Sequence, residues 1–196
     1  MSKIRKTTQY LMPVSRKKPG ALDYDIYPVH DLGDGTVSSD ISELAARIPE
    51  RGTVIVDGYV GVRFDEFVSS LNEALSAVGK TALWWSVDSA LKSPAEIDKM
   101  IEPFLGGDDP LFGYRASLEL KDFFDGDKLA SIKADASAPL NIIYGIGASL
   151  AGWEGTLIYL DIPKNEIQFR SRAGSVRNLG AAAPDAPKKM YKRFYF

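Results

Sequence analysis

The chain has 196 residues, a net charge of −2, no cysteine and one histidine. This length suffices for one medium-sized domain, and 45% hydrophobic and 26% charged residues are typical of a globular protein. The lack of cysteine excludes disulfides and thiolate metal sites, and the single histidine, His30, excludes a multi-histidine zinc centre. The near-neutral charge argues against general nucleic-acid binding, and no run approaches the roughly 20 apolar residues of a membrane span. We therefore expect a cytoplasmic protein with no zinc, no nucleic-acid partner and no membrane segment.

Composition divides the chain into three parts. Residues 1–20 are basic and show no periodicity, which predicts a flexible arm. Residues 21–180 carry alternating strand and helix signals, which predict a single α/β domain. Residues 181–196 begin as a linker that contains alanine and proline, and the aromatic segment 190–196 predicts a terminal strand.

The strand and helix signals alternate without hairpin signals between them, which favours a parallel sheet with right-handed crossovers. The run Val54-Ile55-Val56 is continuously apolar, as in a strand that is covered on both faces. Asp40, Asp65 and Ser93 are predicted N-caps. We predict an α/β fold with a three-layer, doubly wound, mostly parallel sheet of five or six strands. The predicted strands are 24–27, 53–57, 82–87, 140–144, 156–161 and 190–196. The predicted helices are 41–48, 64–78, 94–105, a weaker stretch around 117–133 that is interrupted at Gly126, and one that begins at Pro163.

The strongest functional signal is the segment 53–67, which is predicted to run from a buried strand through a glycine-containing turn into an amphipathic helix. This order can hold a phosphate group, because the first N–H groups of the helix face the turn. When Gly58 is aligned with the first glycine of G-x-x-x-x-G-K-[ST], Arg63, Phe64 and Asp65 occupy the positions of glycine, lysine and Ser/Thr. The pattern predicts a phosphate-binding scaffold without the catalytic residues. A tight turn without a ligand is the alternative, which an N-cap at Asp65 would favour.

Three arginines supply the second half of the predicted site. Arg170 and Arg172 precede Gly174 and Arg177 follows it, and guanidinium groups bind phosphate in a bidentate manner. A solvated helix end is the alternative for these cations. The two halves would meet at the carboxyl edge of the sheet if their strands are neighbours. The predicted phosphate-binding residues are Gly58, Tyr59, Gly61, Arg63, Arg170, Arg172 and Arg177, and no catalytic residue or metal ligand is assigned.

Three further features have simpler interpretations. Gly145-Ile146-Gly147 follows a strand, but Leu150 stands where a dinucleotide fingerprint requires its third glycine. Asp108-Asp109 could hold Mg²⁺, although such a pair more often caps or solvates a loop. Trp84-Trp85 are expected in a core or an interface, and Trp153 is the best candidate for an exposed aromatic anchor.

Four segments in order resemble the N-terminal domain of bacterial class I mannose-6-phosphate isomerase-like proteins. They are 57–62 (DGYVGV), 104–110 (FLGGDDP), 147–155 (GASLAGWEG) and 163–174 (PKNEIQFRSRAG). In that family a cupin-type isomerase domain with a zinc site follows this domain, and we expect the chain to stop where the cupin would begin. The resemblance implies a cupin isomerase domain as a partner. It transfers no isomerase activity, since one histidine cannot build the zinc site.

The chain is also remotely similar to uridine-kinase-like P-loop enzymes, which implies a P-loop-kinase-like fold with a degenerate phosphate loop and an arginine-bearing lid. The favoured function is an accessory or sensor domain that binds a nucleotide or sugar phosphate without phosphoryl transfer; no other cofactor is assigned. One alternative is an active nucleoside or sugar kinase, in which Arg63 replaces the lysine and Asp57 is the base or a metal ligand. Another is a ligand-free assembly domain. The oligomeric state is left open.

Overall fold

The computed structural model describes residues 4, 20, 32–35, 37–109 and 112–194. The rest of the predicted basic arm, the predicted strand at 24–27 and His30 lie outside the described residues. The strands are β1 (Gly52–Gly58), β2 (Ala82–Ser86), β3 (Leu140–Tyr144) and β4 (Thr156–Leu160). The helices are α1 (Ile41–Arg47), α2 (Phe64–Ala77), α3 (Pro94–Ile101), α4 (Gly126–Ser131), α5 (Lys164–Ala173) and α6 (Pro187–Phe194), and short 3₁₀ turns cover Val87–Ala90, Glu102–Phe104, Leu120–Phe123 and Ala148–Ala151.

The four strands form one parallel sheet in the order β2-β3-β1-β4. Ile55 of β1 lies opposite Ile143 of β3 on one side and opposite Leu157 of β4 on the other. The predicted α/β fold with a doubly wound parallel sheet is confirmed. The described residues contain four of the predicted five or six strands, and the predicted strand at 24–27 lies outside them.

Alternate residues of the central strands pack on opposite faces of the sheet. Val54 and Val56 join α1 and α2 in one core cluster, whereas Ile55 and Ile143 join α3 and α4 in the other. Helices therefore cover both faces and complete the three layers. This two-sided cover is the physical reason for the unbroken apolar run in β1.

Side chains satisfy the helix ends largely as the sequence predicts. Asp40 accepts the N–H of Ser42 at 2.8 Å, and Ser93 forms a reciprocal capping box with Glu96. Lys80, just beyond α2, donates its ammonium protons to the carbonyl oxygens of Ala45 (2.8 Å), Ala46 (2.9 Å) and Ile48 (2.5 Å). Lys80 thus binds carbonyl groups that the end of α1 leaves without helical partners.

The predicted helix at 117–133 is shorter and divided: it consists of the 3₁₀ turn Leu120–Phe123 and of α4, because Phe124 and Asp125 between them are extended and Asp125 caps α4.

Two other predictions about secondary structure need correction. Asp65 is not the N-cap of α2, because Arg63 occupies that position and Asp65 lies in the first turn. The predicted terminal strand is instead helix α6. Met190 and Arg193 are both buried, and residues three apart share one face of a helix but lie on opposite faces of a strand. Arg193 also donates hydrogen bonds to Asp98 and Asp185, which fixes α6 against α3.

Candidate functional site

A cleft of about 680 Å³ opens at the carboxyl end of the sheet, beside the ends of β2 and β3. Ser86 and Tyr144 end those strands and line its floor, and the beginning of α2 and the loop 175–184 form its walls. Ligands of open α/β sheets bind at this edge. The charged residues that line the cleft are Arg63, Asp65, Glu66, Asp88, Lys92 and Arg177.

The turn after β1 closes on itself. The N–H of Gly58 donates to the carboxylate of Asp57 at 2.7 Å, that of Tyr59 donates to the carbonyl of Leu160, and that of Val62 donates to the carbonyl of Tyr59. These three N–H groups are therefore bound within the protein and need no ligand, whereas no side chain caps the N–H groups that begin α2.

Packing explains the glycines of this turn. A Cβ on Gly58 would lie 2.6 Å from the carbonyl oxygen of Leu160 in β4. Gly61 has a φ of +92°, and a Cβ there would lie 3.0 Å from the side chain of Ile167 in α5. Both glycines let neighbouring elements approach closely, which requires no ligand.

Arg63 lies at the entrance to α2, where no side chain caps the helix. Its guanidinium pairs with Glu66, and its buried Nη1 has no acceptor among the described residues. Buried donors without acceptors are unusual in native proteins. Arg63 is therefore a cleft residue that would gain from an added acceptor.

Arg170 reaches the turn after β1, as the sequence predicts. Its Nη1 donates to the carbonyl oxygen of Gly61 at 2.8 Å and its Nε to Glu166 at 3.0 Å. The side chain is only 17% exposed, and it lines a shallower depression of about 480 Å³ that shares Arg63 with the cleft. The exposed Arg172 lines neither depression. The residues predicted to bind phosphate together therefore lie in different places. Gly61, Arg63 and Arg177 line the cleft, Arg170 braces the turn, and Arg172 faces solvent.

Arg177 faces Asp88 across the cleft, with 3.8 Å between Nη2 and Oδ2. Burial raises the pKa of Asp88 above its ordinary value; Arg177 opposes the shift and Asp65 adds to it. Asp88 follows β2, and Asp65 lies in the first turn of α2. The cleft therefore brings two carboxylates and a guanidinium together from three separate elements.

Asp57 has a role that differs from the predicted catalytic alternative. Its carboxylate accepts N–H groups from Gly58 (2.7 Å), Gly147 (2.8 Å) and Ser149 (3.0 Å), and the residue is 8% exposed. The segment 145–147, which failed the dinucleotide pattern, thus binds an internal carboxylate. The sequence carried one signal for this contact: an aspartate ends one buried strand, and a glycine-containing turn follows another.

The other predicted candidates have structural roles. Asp109 accepts the N–H of Phe112 at 2.8 Å, as a loop-capping residue does. Trp153 is not an exposed anchor: it is partly buried, packs edge to face on Trp85 and donates its indole N–H to the carbonyl of Ile132. Within the described ranges, no group of three or more His, Cys, Asp or Glu side chains could bind a metal ion. No described helix has the length and apolar composition needed to cross a membrane.

The fold and cleft define a doubly wound α/β domain with a mixed-charge site at its carboxyl edge. Residues 40–196 match a family described as a domain of unknown function, DUF8485, and the chain belongs to that family. No curated protein matches the sequence. A similar solved structure is that of a protein described as a "putative fructose transport system kinase" from Silicibacter sp. TM1040, with 19% identity and a TM-score of 0.43 over 68% of this chain and 80% of that chain.

Proposed function

We propose that the domain binds a small phosphorylated molecule, a sugar phosphate or a nucleotide, in the cleft beside β2 and β3 and does not transfer its phosphoryl group. The observation that carries the proposal is the lining of a cleft of about 680 Å³ at the carboxyl edge by Arg63, Lys92 and Arg177. Guanidinium and ammonium groups bind phosphate oxygens, and an arginine offers a planar pair of donors.

The carboxylates of the cleft favour a ligand that also donates hydrogen bonds. Asp65 and Asp88 line the same space as Arg177, so a bare polyphosphate would meet repulsion there. Hydroxyl groups of a sugar or ribose can donate to carboxylates while the phosphate accepts from the cations. The proposed ligand is therefore a phosphate ester with several free hydroxyls.

The proposed absence of phosphoryl transfer rests on Asp57 and on the turn after β1. Asp57 is the only carboxylate that the kinase alternative used, and its oxygens accept three backbone N–H groups. Such a carboxylate is poorly placed to act as a base or to hold a metal ion. Three N–H groups of the turn that would hold transferable phosphates, those of Gly58, Tyr59 and Val62, donate to the protein instead.

The resemblance to the N-terminal domain of mannose-6-phosphate isomerase-like proteins supports a finer proposal. The domain would serve a cupin-type isomerase as an accessory or sensor module, with its ligand drawn from the sugar phosphates of that chemistry. A binding assay between this domain and a cupin isomerase domain, with and without mannose 6-phosphate, tests the pairing. A ligand-free assembly domain would bind the cupin equally under both conditions.

A titration of the purified chain with mannose 6-phosphate, uridine, ATP and GTP tests the binding proposal. We expect saturable binding of a phosphate ester by calorimetry. Arg177→Ala should weaken that binding about tenfold or more, because it removes a hydrogen bond to a charged group worth roughly 1.5–3 kcal/mol. Arg172→Ala is the matched control, since this arginine lies outside the cleft. This variant should bind the phosphate ester as tightly as the wild type does.

Two outcomes would contradict the proposal. If none of the four compounds binds, the assembly alternative survives. If labelled phosphate from ATP appears on uridine or on a sugar, the kinase alternative is correct despite the engaged Asp57.

A further inference from the structure

The buried carboxylate of Asp57 lies at the point where the sheet changes direction. The connection from β1 leads to β2 on one side of the sheet, and the connection from β3 leads to β4 on the other. Between the ends of β1 and β3 these connections diverge, and such switch points are where doubly wound sheets bind anionic ligands. Asp57, one residue before the end of β1, lies there.

The groups around this carboxylate form an anion-binding set. Oδ1 accepts the N–H groups of Gly58 and Gly147 at 2.7 and 2.8 Å, and Oδ2 accepts that of Ser149 at 3.0 Å. Gly147 has a φ of +81°, a left-handed conformation that turns successive N–H groups toward a common point. No ion pair joins Asp57 to a lysine or arginine of the described chain. Backbone N–H groups of the described residues stabilise its charge.

We propose that Asp57 is a built-in anion, a carboxylate that fills the phosphate position at the switch point and excludes ligand phosphate from it. Two consequences follow. The N–H groups of Gly58, Gly147 and Ser149 are unavailable to a ligand. A phosphate placed beside Asp57 would also be repelled by the buried negative charge of its carboxylate. A ligand must therefore bind on the β2 side, in the cleft. Only this last step rests on the proposed function.

Asp57 also holds the two turns of the carboxyl edge in a fixed relation. Gly58 opens the turn that leads to Arg63, and the turn held through Gly147 and Ser149 contains Gly145 and Ile146, which line the cleft. One carboxylate thus joins two segments of the cleft wall. This makes Asp57 a positioning residue and a specificity-determining residue at once.

The test uses the full chain, with inorganic phosphate and formate as probes and sodium chloride at matched ionic strength as the reference. In the wild type, the amide NMR signals of Gly58, Gly147 and Ser149 should not respond to phosphate. In Asp57→Ala these three signals should shift saturably with phosphate or formate, and the melting temperature should recover part of its loss. Asp125→Ala is the control, since Asp125 also accepts two backbone N–H groups but lies at the start of α4, and its stability should show no anion-specific recovery.

The result that overturns the proposal is a saturable, phosphate-specific shift of those three signals in the wild type, or an Asp57→Ala variant that responds to phosphate no more than to chloride. If Asp57→Ala does not fold, Asp57→Asn replaces it, because it keeps the shape and removes the charge. Amide exchange at Gly147 and Ser149 should then be roughly ten- to a hundredfold faster than in the wild type, and unchanged exchange would refute the role of the charge. A failure of the cleft proposal would instead appear as a ligand affinity that Arg177→Ala leaves unchanged. The two proposals therefore fail separately.

Discussion

The two glycine-containing turns at the carboxyl edge of the sheet handle charge in opposite ways. Beyond Gly58, which gives one N–H to Asp57, the turn after β1 presents the carbonyl oxygen of Gly61 to the cation of Arg170, whereas the turn after β3 presents the N–H groups of Gly147 and Ser149 to the anion of Asp57. Both turns contain glycines at left-handed φ. The difference shows that glycine spacing does not define an anion site; the direction of the peptide groups does.

Removal of the Asp57 carboxylate, which the turn after β3 binds, should lower the free energy of unfolding the most. Asp57→Ala leaves three backbone N–H groups without their acceptor in a site that is 8% exposed. Because each buried unsatisfied donor costs about 1–3 kcal/mol, the free energy of unfolding should fall by about 3 kcal/mol or more. Urea unfolding followed by circular dichroism measures the loss.

The control for this prediction is Asp125→Ala, whose carboxylate caps α4 in a more exposed position. An N-cap of this kind is worth about 1 kcal/mol. Equal losses in the two variants would mean that the switch-point carboxylate stabilises no more than an ordinary cap, and the contrast between the two turns would then lose its energetic basis.

Removal of the Arg170 guanidinium tests the other turn and should have an intermediate effect. Arg170 donates to Gly61 and pairs with Glu166 while only 17% exposed, so Arg170→Ala should lower the free energy of unfolding by about 1–2 kcal/mol. The sequence alone assigned Arg170 to ligand binding, a role that would leave the melting temperature of this variant nearly unchanged. Chemical unfolding of Arg170→Ala is compared with that of Arg172→Ala, which changes an exposed arginine. If the two variants have the same free energy of unfolding, Arg170 does not brace the turn.

Much of the fold could be predicted from the sequence because its signals are local. The capping residues Asp40 and Ser93 and the apolar run of β1 report hydrogen bonds and burial within a few positions of themselves. The helix α6 was missed because its aromatic residues are typical of strands, while the burial of Met190 and Arg193 depends on distant partners such as Asp98. Periodicity over so short a segment does not separate helix from strand.

The candidate site was less predictable, for a related reason. Both turns were noticed from their glycines, but the contact between Asp57 and Gly147 spans 90 positions and depends on β1 and β3 being neighbours. The sequence shows that β3 follows β2, not that it inserts beside β1. Asp88 and Lys92 were overlooked because each lies beyond a strand end with no motif around it, and only the assembled cleft gives them a shared surface.

The smallest effect concerns Asp88, whose carboxylate lies near Gly145 in the turn after β3 and is about half exposed, whereas Asp57 is buried. Burial raises the pKa of Asp88, against the pull of Arg177 and with the help of Asp65. A carboxyl group whose pKa is raised in the folded state stabilises that state below its unfolded pKa, near 3.8, and this contribution is lost as the pH rises through the folded pKa. Asp88→Asn should therefore gain stability relative to the wild type as the pH rises through that window, and the difference should be constant above it.

The magnitude for Asp88→Asn should stay below about 0.5 kcal/mol, since solvent screens a side chain that is 48% exposed. Urea unfolding from pH 3 to pH 7 measures this difference.

Asp135→Asn is a control of opposite sign. Hydrogen bonds from Ser137 lower the pKa of Asp135, so its contribution to the stability of the folded state is present at neutral pH and lost as the pH falls. Asp65→Asn should narrow the pH range over which Asp88 changes stability, because it removes a negative charge that raises the pKa of Asp88. If Asp88→Asn and Asp135→Asn show the same pH slope, the cleft does not raise the pKa of Asp88, and the contrast between Asp57 and Asp88 would be lost.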